Sequence, residues 1–109
     1  MTKRDYLGEF EQIVLLAVRH LGPDAYGVTI RREIEARTGR KVSHGAIYPT
    51  MDRLEAKGYV SSYLGEPTAE RGGRSKKHFR LEPEGALALE RSRDMLEAMW
   101  KGAESETSS

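Results

Sequence analysis

The residues of this chain whose types and spacing suit chemistry fall in two groups, and in both the chemistry is recognition rather than bond-making. The first is the segment GEPTAERGGRSK and the lysine after it, with Arg71, Gly72, Gly73, Arg74, Lys76 and Lys77 and no acid after Glu70. Glycines let a backbone approach a surface closely while cations reach phosphates, which is the chemistry of a wing; a solvated charged loop is the plainer alternative. The second is KVSHGAIYPTMDRLEAKG, residues 41–58. Ser43 suits an N-cap and Gly58 a C′ stop, so the stretch between reads as one helix. Ala46, Ile47, Met51 and Leu54 form its buried stripe. The opposite face, His44, Gly45, Tyr48, Pro49, Asp52 and Arg53, has an exposed aromatic and a proline that costs roughly 3 kcal/mol in a helix interior, less near the N-terminus. Such a face fits contact with something else, as in a recognition helix.

Catalysis is not expected. No nucleophile, base and orienting residue fall at plausible spacing, and no phosphate-binding glycine loop follows a strand. There is no cysteine, and His20, His44 and His78 stand far apart without carboxylate spacing for a metal. Neither a metal nor another cofactor is anticipated. No apolar run approaches a membrane span and the N-terminus lacks a signal-peptide stretch, so the expected location is the cytoplasm, with no membrane partner. The net charge of +1 hides a segregation. Residues 1–80 carry 15 Lys/Arg against 10 Asp/Glu, and residues 81–109 carry 3 against 7. A basic body with an acidic tail fits an anionic partner for the body.

The elements that must position these groups follow from periodicity. Phe10, Ile13, Val14, Ala17, Val18 and Leu21 mark an amphipathic helix over Leu7 to Leu21, and Leu15 and Leu16 widen its stripe as in a central helix contacted on several sides. Gly22-Pro23 stops it. Asp24 is expected to cap a second helix from about Ala25 to Thr38, with Tyr26, Ile30 and Ile34 inward. Gly27 in its first turn weakens the helix by roughly 1 kcal/mol relative to alanine, which implies that another backbone, that of the third helix, passes close by. Helix, short connection and contacting helix make a helix-turn-helix. Tyr59 to Leu64 and Lys77 to Leu81 then pair as a hairpin, with Phe79 and Leu81 on one face and His78 and Arg80 on the other; His20 and His78 read as surface residues. Pro83 opens a last helix to about Lys101, with Leu89, Leu96 and Met99 on one side, joined by Met95 and Trp100. Three helices and a hairpin already complete a small core, so this stripe is expected to pack against a second copy of the chain, the alternative being its own domain. The fold class is mainly α with a small β-hairpin: a winged helix-turn-helix domain over 1–82, a dimerisation helix over 83–101 and a disordered tail over 102–109.

The segments LGEFEQIVLLAVRHLG, AYGVTIRREIEARTG and SHGAIYPTMDRLEAKGYVSSYLGEPTAERGGRSKKHFRLEPEG, in this order, resemble the PadR family of bacterial winged-helix transcriptional regulators. The resemblance implies a homodimer, joined through C-terminal helices, that represses promoters by binding a pseudo-palindromic operator in double-stranded DNA. It places the DNA-contacting helix over Ser43 to Lys57, with Ser43, His44, Gly45 and Tyr48 approaching DNA, and the wing over Arg71 to Lys77. Family members respond to small aromatic or phenolic compounds; Trp100, with Met95 and Met99, suits either stacking on a flat effector between subunits or plain dimer core. Two departures stand out. Glu82 replaces the Thr or Ser that similar sequences carry before Pro-Glu-Gly, exchanging a neutral cap for a favourable charge, and His44 falls at a variable position, so no operator sequence follows.

Binding of this kind divides into two terms. The wing cations, with Lys41 and Arg53, neutralise phosphates and give salt-sensitive affinity with little sequence information. Ser43 donates to phosphate or base, Gly45 permits close approach, and Tyr48 offers its hydroxyl to a phosphate and its ring to a sugar or thymine methyl. A half-buried core role remains the alternative for Tyr48, and plain exposure for His44. A winged helix used as a protein-interaction adaptor is the competing function; it calls for an apolar or mixed recognition face, whereas this one stands beside a cationic wing.

Overall fold

The computed structural model describes residues 6–67 and 75–103. In chain order it contains α1 (Glu9–Leu21), a 3-10 turn (Gly22–Asp24), α2 (Gly27–Thr38), α3 (His44–Ala56), β1 (Val60–Pro67), β2 (Ser75–Leu81) and α4 (Pro83–Trp100). The last residues of the expected tail, 104–109, and the expected wing residues Arg71, Gly72, Gly73 and Arg74 lie outside the described residues.

α1 is the central helix. It touches α2, α3, β2 and α4, and its Val14, Leu15, Ala17 and Val18 are buried among Ile30 and Ile34, then Ile47, Met51 and Leu54, then Val60 and Phe79. Leu16 departs from this: it is exposed and borders a groove between α1 and α4. At the start of α1 the Gly8 N–H donates to the Glu11 carboxylate at 2.9 Å, satisfying a donor the helix cannot.

α2 begins two residues later than the sequence suggested, with Tyr26 and not Asp24 at its N-cap. The reason is long-range. The Phe79 N–H donates to the Ala25 carbonyl at 2.9 Å and Tyr26 bridges His78, so residues 25 and 26 are extended against β2. The carbonyl of Asp24 accepts from the Thr29 hydroxyl. The close passage anticipated at Gly27 exists, but what comes close is the side chain of Tyr48 and not a backbone.

α3 ends as its glycine dictates. Gly58 has φ +79°, its N–H donates to the Glu55 carbonyl, and the Tyr59 N–H reaches back to the Leu54 carbonyl at 2.9 Å. This Schellman closure turns the chain into β1. The strands pair antiparallel from Val60 opposite Leu81 to Leu64 opposite Lys77. Phe79 is buried as expected, but His78 is a correction. Only 7% exposed, it lies against the rings of Tyr26 (4.9 Å) and Tyr63 (5.4 Å), and its Nδ1–H donates to the Lys76 carbonyl at 2.9 Å. The third extended segment, residues 25–26, covers a face that an isolated hairpin would leave open.

Glu82 is the N-cap residue of α4, and its carboxylate accepts from the Ser61 hydroxyl at 2.6 Å instead of capping its own helix. The first half of α4 packs on the domain. Ala88, Leu89 and Ser92 are buried, and the Ser92 hydroxyl accepts from the Leu7 N–H. Leu89, expected at the dimer contact, is therefore in the core of the single chain at 5% exposure. Met95, Leu96, Met99 and Trp100 on the second half are exposed, Met99 at 75% and Trp100 at 63%.

Candidate nucleic-acid interface

The inner stripe of α3 buries Ile47, Met51 and Leu54, together with Thr50, whose hydroxyl donates to the Ala46 carbonyl at 3.1 Å. That leaves His44, Gly45, Tyr48, Pro49, Asp52 and Arg53 on an exposed face, continued at its N-terminal end by exposed Ser43 and Lys41. Ser43 is the N-cap residue by position but makes no side-chain cap bond, contrary to the expected use of its oxygen. Gly45 has helical backbone, and a Cβ added there meets nothing within 4 Å. Pro49 stands exposed in the second turn of the face, where its missing N–H leaves the Gly45 carbonyl without the usual i+4 donor. Tyr48 is 46% exposed, one end of its ring resting on Gly27.

Two cations at the C-terminal end of α3 are held by a residue that the one-dimensional pattern does not single out. Glu11 of α1 lies 3.5 Å from Arg53 Nε and 3.4 Å from Lys57 Nζ, and Arg53 also donates to the Thr50 hydroxyl at 3.2 Å. Partial burial pushes the Glu11 carboxyl up, but the Gly8 N–H, the Lys57 ammonium and the Arg53 guanidinium together outweigh it and hold it below the ordinary carboxylate value. A folded-state value below the unfolded one, about 4.3, means stability that is present above that pH and lost as pH falls through the folded value. Glu11→Gln is accordingly expected to cost about 1 kcal/mol in urea unfolding at pH 7 and much less near pH 3. An equal cost at both pH values would show that shape, not charge, is what Glu11 contributes.

On the hairpin, Lys77 Nζ is 3.8 Å from the Glu55 carboxylate and 5.6 Å over the Phe79 ring, so this expected wing cation is shared with α3. Lys76 lies beside it on β2, its carbonyl engaged by His78. The structure thus brings Lys41, Ser43, His44, Gly45, Tyr48 and Arg53 to one element and its approach, and sets Lys76 and Lys77 on the strand leading from residues 68–74. Among the described residues, no group of three or more His, Asp or Glu side chains is placed to hold a metal, and no helix is long and apolar enough to cross a membrane.

Three helices, the third packed on the second after a short connection, and an antiparallel hairpin behind them define a winged helix-turn-helix domain. Residues 14–91 match the transcriptional regulator PadR-like family. The transcriptional regulator Rv3488 of Mycobacterium tuberculosis is 34% identical over 94 residues, which span 84% of this chain and 83% of that protein. A transcriptional regulator from Clostridium thermocellum superposes with TM-score 0.70 at 25% identity, over 87% of this chain and 86% of its own. A PadR family regulator from Clostridium difficile R20291 shares the fold, with TM-score 0.71 at 21% identity over 86% and 93%. The chain belongs to the PadR-like family of transcriptional regulators.

Proposed function

We propose that this regulator is a homodimeric, sequence-specific DNA-binding repressor. The exposed face of α3 enters the major groove of a pseudo-palindromic operator, the wing cations lie on the backbone, and the second half of α4 joins two chains. One observation carries the reading. The outer face of α3 bears a glycine at which an added Cβ meets nothing within 4 Å among the described residues, and a proline that leaves the Gly45 carbonyl without its usual donor, each a local cost to the helix. A partner that must approach the backbone closely accounts for Gly45, and the cationic elements beside it fit a polyanion. Trp100 serves either as dimer core or as the stacking surface for a flat aromatic effector, and the groove of about 220 Å³ between α1 and α4 that Leu16, Leu89 and Leu96 also line supports the second use.

The test is Gly45→Ala. Its methyl has room in the isolated chain, so the variant should be more stable than wild type by about 0.5–1 kcal/mol in urea unfolding. Against a duplex enriched from a random-sequence pool by the wild-type chain, its affinity should fall about tenfold or more, the size of effect that follows when one specific interaction with DNA is removed. Greater stability with unchanged binding would make this face a solvated surface. A wild-type chain without salt-dependent affinity for any duplex would favour the protein-adaptor reading.

A further inference from the structure

We infer that Gly27 is a positioning residue for DNA recognition: by carrying no side chain it lets Tyr48 of α3 lie across the first turn of α2, with its hydroxyl on the DNA-backbone side of the site. The inference rests on the DNA-binding reading of α3. Gly27 is buried, and a Cβ built on it would lie 2.3 Å from Tyr48 Oη, 2.8 Å from Cζ and 3.4 Å from Cε2. The first two distances are too short for any real contact, so a methyl at position 27 and the present Tyr48 ring exclude each other. The ring is not core. At 46% exposure it has solvent on its other side, and a tyrosine so placed yields by swinging outward without unfolding the domain. Gly27 therefore fixes where the one tyrosine of the outer face of α3 stands. In a helix-turn-helix the helix before the recognition helix crosses the phosphate backbone. A hydroxyl parked over the first turn of α2 is consequently set toward phosphates and away from base edges, and its contribution is to affinity on all sequences.

The experiment is a double-variant cycle, Gly27→Ala, Tyr48→Ala and both together, measured for affinity to the duplex enriched by the wild-type chain and for melting temperature. Gly27→Ala and Tyr48→Ala should each weaken binding about tenfold, and Gly27→Ala should cost nothing further in the Tyr48→Ala background. Tyr48→Phe should weaken the enriched and a scrambled duplex by the same factor. If Gly27→Ala alone is too unstable to assay, the double variant should regain the melting temperature and bind as Tyr48→Ala does. Equal losses from Gly27→Ala in both backgrounds, or none in either, overturn the inference, as does a double variant as unstable as Gly27→Ala. A wild-type chain that enriches no duplex overturns the DNA-binding reading itself, and this inference with it.

Discussion

A chain carrying Leu96→Glu and Met99→Glu is expected to sediment as a 12.3 kDa monomer at concentrations where the wild type sediments at twice that mass, and to melt lower only by the concentration-dependent margin that association gives the wild type. The two halves of α4 explain the separation of effects. Ala88, Leu89 and Ser92 are closed within the protomer, so the helix is anchored without its second half. Met95, Leu96, Met99 and Trp100 contribute little to that anchoring because their surfaces are exposed in the single chain. Four large apolar side chains within six residues of one helix form an exposed patch of the kind that marks a contact with a partner, and two such helices covering one another is the symmetric solution. Acidic residues at Leu96 and Met99 would face their own copies across a two-fold axis, adding repulsion to the loss of burial. Operator affinity should fall by about 10²–10⁴, since the second half-site no longer binds as an intramolecular event. Leu89→Ala is the contrast: a buried truncation that should cost about 2–4 kcal/mol of stability without a specific effect on association. A double-Glu variant that remains dimeric would remove this stripe from the interface.

What the sequence could disclose was set by how local each cause is. α1 and α3 were legible because their causes are local: apolar spacing along the helix and Gly58 at the αL stop. The exposed face of α3 was legible for the same reason, since a glycine and a proline among polar residues need no partner to look out of place. The late start of α2 was not. It depends on the Phe79 N–H reaching Ala25 from far along the chain, and no local signal separates an extended Ala25-Tyr26 from a first helical turn. The burial of His78 has the same origin, because alternation along β2 gives two faces but not the segment that covers the second. Leu89 and Leu96 share one helical stripe, and only the path of α1 beneath α4 divides them into core and free surface. By type and position Glu11 is an ordinary first-turn acid; its hold on Arg53 and Lys57 exists only once α1 and α3 are packed.

Replacing Arg71, Arg74, Lys76 and Lys77 together by glutamine should change the salt dependence of binding far more than its sequence preference. Each phosphate that is no longer neutralised lowers the slope of log affinity against log salt by about 0.9, so four full neutralisations correspond to a fall of about 3 to 4. The lower end is expected, because Lys77 already lies 3.8 Å from the Glu55 carboxylate and would have to exchange it for a phosphate. Affinity at physiological salt should drop by orders of magnitude, while the ratio of enriched to scrambled duplex is largely kept, since backbone contacts position a protein without reading bases. Stability should stay near wild type, because Lys77 is exposed and its ion pair with Glu55 is of the surface kind, worth about 1 kcal/mol at most. Two results would count against the wing. An unchanged slope would make these residues a solvated loop, and a vanished preference with the slope intact would mean that they read bases and that the division of labour with α3 is reversed.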